Sequence, residues 1–155
     1  MTPQSLFPDL RETIEERARA IDAEILLLLT GKAGGPLGLE LSADERRVLS
    51  AVRCRRGSRN ALPIREIQRS MGDGALTDRA IKKTVRTLRV NFHLPIGSSK
   101  LAGEAGYFIM LTDEDHAILR GQVLDQVRAE LEVLKAVDGP RAALELLGQL
   151  QLEVG

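Results

Sequence analysis

Thr77-Asp78-Arg79-Ala80-Ile81-Lys82-Lys83-Thr84-Val85-Arg86-Thr87-Leu88-Arg89 is the stretch on which the fold of this chain turns. Thr77 suits a helix N-cap, because its hydroxyl can accept from an unsatisfied first-turn amide, and Asp78 in the first turn complements the helix dipole. On a helical wheel Ile81, Val85 and Leu88 share one side, with Thr84 beside them. Arg79, Lys83 and Arg86 lie opposite, flanked by Lys82 and Arg89. The spacing predicts a helix that buries one side and offers cations on the other.

On the N-terminal side of this stretch, Ser42 and Glu45 form a capping-box pattern ahead of Val48, Leu49 and Val52, the expected buried face of a helix ended by Gly57-Ser58-Arg59-Asn60. Ala61 and Leu62 read as a short strand. Pro63 suits a first helical turn, and Ile64, Ile67 and Met71 continue at helical spacing until Gly72-Asp73-Gly74 forces a turn. On the C-terminal side, Leu94-Pro95-Ile96-Gly97 and Tyr107-Phe108-Ile109-Met110-Leu111 have the composition of two strands. Ser98 to Gly106 reads as the flexible loop between them. Helix, short strand, helix, turn, helix and hairpin is the order of a winged helix-turn-helix. In that arrangement the third helix enters the major groove, about 12 Å wide, and the hairpin loop rests on the nucleic-acid backbone. The turn from Gly72 to Leu76 is longer than the tightest helix-turn-helix connection.

The flanks are helical too. Leu10, Ile14, Ala18, Ile21, Ile25 and Leu28 predict an amphipathic helix from Pro8 to about Thr30, broken by the Gly-rich linker Gly31 to Gly38. Thr112-Asp113-Glu114-Asp115 opens a long helix whose Leu124, Val127, Leu131 and Leu134 are spaced three, four and three, as in a heptad seam. Asp138-Gly139-Pro140 ends it, and a last helix from Pro140 to about Leu152 carries Leu144, Leu147 and Leu150. The expected organisation is an N-terminal helix and linker (1–38), a winged helix-turn-helix domain (39–112) and C-terminal helices (113–155). Both terminal apolar stripes are expected to be covered by homodimerisation.

Charge is segregated along the chain. From Arg46 to Lys100 there are fourteen Lys or Arg against three acids, Glu66, Asp73 and Asp78, a surplus of eleven positive charges that the acidic flanks cancel to a formal net charge of +0. A polyanion responds to the local field, so the zero total does not argue against one. The 155 residues fit one typical domain with extensions, and 43% hydrophobic content with 3% aromatics and no Trp favours a helical core of aliphatic side chains. Cys54, the one cysteine, cannot form an internal disulfide, and it is expected in a helix in a structural role. With no basic leader and no apolar run long enough to span a bilayer, the expected location is cytoplasmic, with no membrane partner. His93 and His116 lack the spacing of metal ligands, and Gly34-Gly35 lacks the Lys-Ser/Thr of a phosphate loop. Nor do a nucleophile, a base and an orienting group converge. The expectation is a non-enzyme with no metal and no cofactor.

The segment from Thr77 to Arg89, followed by a Gly-containing hairpin ending in Gly106-Tyr107-Phe108-Ile109, resembles the winged helix at the N-terminus of biotin-ligase repressors. It also resembles small winged-helix proteins of phages and other mobile elements. The likeness covers about residues 42–111, and nothing in the chain resembles a biotin-ligase catalytic domain. It implies that Thr77 to Arg89 is the recognition helix and the glycine-tyrosine hairpin the wing. The MarR family is similar in architecture alone. On this basis Arg79, Lys82, Lys83, Arg86 and Arg89 on the helix, and Ser98, Ser99 and Lys100 at the wing, are the candidate DNA-binding residues. Arg79, Lys83 and Arg86 are expected to read bases, and Lys82, Arg89 and Lys100 to touch phosphates. The expected function is sequence-specific binding of double-stranded DNA in the regulation of transcription or in phage or plasmid replication. The competing class is a winged-helix protein-interaction subunit that binds no DNA.

Overall fold

A computed structural model of the chain describes residues 13–100 and 105–154. The described residues form six α-helices and a small three-stranded antiparallel sheet, and the chain divides into two compact units between His116 and Ala117. In the first unit the order is α1 (Ile14–Leu29), α2 (Ala43–Val52), β1 (Leu62–Pro63), α3 (Ile64–Met71), α4 (Asp78–Phe92), β2 (Ile96–Ser99) and β3 (Gly106–Ile109). Helix α5 (Asp113–Asp138) begins at its end, and α6 (Pro140–Val154) belongs to the second unit.

Capping residues set where the helices begin. Ser42 accepts from the Glu45 amide at 3.2 Å and Glu45 Oε2 accepts from the Ser42 amide at 2.8 Å, the reciprocal box that the sequence predicts. Thr77 accepts from the Ala80 amide at 3.2 Å and opens α4. Thr13 and Glu16 form a second box, which starts α1 at Ile14 rather than Pro8. Thr13 is extended, with φ −66° and ψ 154°, so the helix cannot run back through it. Pro8 and Leu10 of the expected helix lie outside the described residues. Pro63, with ψ 147°, is the last residue of β1 and the cap of α3 instead of its first turn. It is tolerated there because β1 is an edge strand.

The core of the first unit is aliphatic. Val48, Leu49 and Val52 of α2, Ile67 of α3, and Ile81, Val85 and Leu88 of α4 are all buried in one cluster with Ile96 and Ile109 of the sheet. Each such side chain contributes roughly 1.5–3 kcal/mol on burial. Ala18, Ile25 and Leu28 of α1 belong to the same cluster. From Ala18 to Leu28 the α1 stripe is therefore covered within the chain, contrary to the expectation that it pairs with a second copy, while Ile14 at its start is exposed. Asp22 fixes α1 further by accepting from Arg53 Nε at 2.8 Å and Nη2 at 3.2 Å, and the guanidinium holds its carboxyl below the usual carboxylate range. Thus the described part of segment 1–38 joins segment 39–112 in one unit.

The sheet order is β1-β3-β2, with Leu62 opposite Tyr107, and Ile96, Ser98 and Ser99 opposite Ile109, Tyr107 and Gly106. Strand β2 runs two residues further than its composition predicts, because Ser98 and Ser99 are held by pairing. Leu94 and Pro95 precede it, and Met110 and Leu111 follow β3. Cys54 lies exposed in the turn after α2, outside the helix predicted for it. In the second unit Ala143 is the one buried residue among those described. No helix among the described residues is long and apolar enough to cross a membrane.

Candidate nucleic-acid interface

Helix α4 presents its cations as the wheel predicts. Ile81, Val85, Leu88 and Phe92 face the core, while Arg79, Lys82, Lys83 and Arg86 are exposed. The side chains of these four make no hydrogen bond or ion pair among the described residues, so their charge is not neutralised locally. The helix is held from both ends. Its last residue is followed by His93 in the left-handed conformation, φ 54°, whose amide donates to Leu88 O. At its start, the Asp78 carboxylate accepts from Gln68 Nε2 at 2.8 Å, and the same Gln68 group donates to Leu76 O at 3.0 Å. One amide thus fixes α3, the turn and α4 relative to one another. Asp78 is accordingly turned toward α3.

Most of the other cations of the basic segment fall into two groups. Some are spent inside the molecule. Arg46 donates to Leu29 O, and Arg47 donates to Met71 O at 3.3 Å and Gly74 O at 3.2 Å, which satisfies carbonyls at the end of α3 and in the following turn. Arg53 pairs with Asp22, and Arg69 with Glu66 three residues back. The roles of Arg46 and Arg47 leave no mark in the sequence, since any residue carries a backbone carbonyl. Arg55, Arg56 and Arg59 are exposed around the turn after α2, and Lys100 is exposed at the end of β2.

Arg89 departs from expectation. It is half-buried between α4 and the hairpin, where Nε donates to Ile96 O at 2.7 Å and the guanidinium stands 5.9 Å from the centre of the Tyr107 ring. Burial pushes its pKa below the ordinary arginine value and pushes that of Tyr107 up. Its Nη2 is buried without a hydrogen-bond partner among the described residues. A guanidinium held this way clamps helix to sheet and is not open to solvent as the Lys82 and Lys83 side chains are. Ser99 is likewise buried and Ser98 half-buried, because both belong to β2 instead of the loop. Of the candidate DNA-binding residues, Arg79, Lys82, Lys83 and Arg86 share one exposed helix surface, and Lys100 is exposed at the hairpin. The loop tip at 101–104 lies outside the described residues.

Beside this surface is a polar cleft of about 280 Å³, lined by Arg65 and Gln68 of α3, Asp78 and Lys82 of α4, and Ala105 before β3. Arg65 and Gln68 were not singled out in the sequence. The Gly72-Asp73-Gly74 turn, which brings the starts of α3 and α4 together, was the available signal. A surface of long cationic side chains on a rigid helix, with a short polar cleft at its head, can engage phosphate oxygens and the acceptor edges of bases. No family model, no characterised protein and no solved structure matches the chain.

Proposed function

We propose that this chain is a winged helix-turn-helix protein that binds double-stranded DNA sequence-specifically through α4, in the regulation of transcription or in phage or plasmid replication. The observation that carries the reading is the unneutralised cationic surface of Arg79, Lys82, Lys83 and Arg86, back to back with the buried Ile81, Val85 and Leu88 on one helix. The helix order α2, α3, α4, the edge strand β1 and the β2–β3 hairpin in the sheet order β1-β3-β2 support it. On this reading α4 lies in the major groove, Arg79, Lys83 and Arg86 reach base edges, and Lys82 and Lys100 meet phosphates.

The test is binding of the full chain to a duplex selected from a random pool and to scrambled DNA, across a salt series. Affinity is expected to fall with salt with a logarithmic slope of about 0.9 per phosphate contact. Replacing Arg79, Lys83 or Arg86 by Ala is expected to cost about 1–3 kcal/mol on the selected duplex and to relax discrimination at one position. Equal losses on both duplexes would remove sequence reading from α4. Absence of binding at low salt would leave the protein-interaction reading.

A further inference from the structure

We infer that α5 pairs antiparallel with α5 of a second copy of this chain, about a two-fold axis level with Ala129. Among the described residues of the second unit only Ala143 is buried. Val123, Leu124, Val127, Val133 and Val137 of α5 and Leu144, Leu147 and Leu150 of α6 are exposed, and Leu131 and Leu134 are half-buried. An open apolar cleft of about 410 Å³ runs beside Leu131, Leu134 and Val137, with Leu146 of α6 at its side. The side chains that the α5–α5 pairing would bury are six, Val123, Leu124, Val127, Leu131, Leu134 and Val137, and their open apolar area is what drives it.

The sequence of α5 says what covers it. Leu124, Val127, Leu131 and Leu134 form a seam with heptad spacing, and Arg120 and Asp138 continue it at either end. Turned end for end about residue 129, the seam matches itself: Leu124 meets Leu134, Val127 meets Leu131, and Arg120 meets Asp138 of the other copy. On one flank Val123 meets Val137. A two-fold contact requires this kind of self-complementarity, which an unrelated partner has no reason to share. Arg120 and Asp138 have no ion-pair partner among the described residues. By contrast Arg128 pairs with Asp125, Lys135 with Glu132 and Arg141 with Glu145, each within its own helix. The same register sets Glu130 and Arg128 beside their own counterparts, at flanks open to solvent where salt screens the repulsion. This inference does not depend on what α4 binds.

Sedimentation of the full chain at micromolar concentration is expected to give twice the chain mass. Leu124→Asp with Val127→Asp should give the single mass while the melting transition of the first unit persists, and Ala129→Asp, on the outer side of the same helix, should stay at twice. The milder pair Leu124→Ala and Val127→Ala introduces no charge and is expected to weaken association at least about tenfold. Register is read by charge reversal: Arg120→Asp alone should weaken association, and Arg120→Asp with Asp138→Arg should restore it. A single mass for the unsubstituted chain, or a double mass unaffected by the seam variants, overturns the pairing. Failure of the double reversal to restore association overturns the antiparallel register.

Discussion

Arg89 and Lys83 carry the same charge on the same helix and do different things. Arg89 bonds Ile96 O and stacks near Tyr107, whereas Lys83 projects freely. Arg89→Met is therefore expected to lower unfolding free energy by about 1–3 kcal/mol in urea titration, the usual worth of a charged hydrogen bond. It should leave the salt slope of DNA binding unchanged. Lys82→Ala, at an exposed residue of the same helix assigned to phosphate, is expected to do the reverse, reducing the slope by about 1 with little change in stability. Position on a wheel was legible in the sequence, and it placed Ile81, Val85 and Leu88 inward and Arg79, Lys83 and Arg86 outward. What the wheel could not give is which flank the hairpin covers, and that decides Arg89. Asp22 was equally silent, because its partner Arg53 is distant in sequence. Its carboxyl titrates below the ordinary value, so the pair contributes stability above the usual carboxylate range and loses it as pH falls through the depressed value. Acid unfolding of Asp22→Asn should show a correspondingly weaker dependence on pH in that range.

Elements were legible where local chemistry defines them. The Ser42–Glu45 box and the Thr77 cap fall where their side chains predict, and Thr77→Ala is expected to cost about 1 kcal/mol by removing the acceptor for the Ala80 amide. The Thr13–Glu16 box has the same pattern, but it sits within an apolar periodicity that runs past it, so the helix was expected to start earlier. Strand ends were less legible. Ser98 and Ser99 have no strand composition and owe their conformation to Tyr107 and Gly106 across the ladder. Gly97 in β2 shows how closely the hairpin is packed: a Cβ there would stand 2.5 Å from Phe108 Cζ and 2.9 Å from Met110 Cγ. Gly97→Ala is expected to destabilise the first unit by about 1–3 kcal/mol through overpacking, measured by thermal or urea unfolding.

For the whole molecule, charge segregation was plain in the sequence, but the fates of the two terminal apolar stripes were not. Those of α1 and α5 look alike as patterns, yet the first is buried in the core from Ala18 to Leu28 and the second is largely exposed, because only tertiary packing distinguishes them. If α4 binds DNA and α5 pairs, each assembly carries two reading helices, and binding of the second half-site becomes intramolecular. Leu124→Asp with Val127→Asp should then weaken binding to a duplex with two half-sites far more than to one with a single half-site, in a titration at fixed salt. The arginines that bond backbone carbonyls, Arg17 to Leu111, Arg46 to Leu29, Arg47 to Met71 and Gly74, and Arg89 to Ile96, are half-buried or shielded. Ions screen such contacts far less than exposed charges. Brine strong enough to strip this protein from an immobilised polyanion should therefore release it with its tertiary structure intact, ready to rebind once desalted.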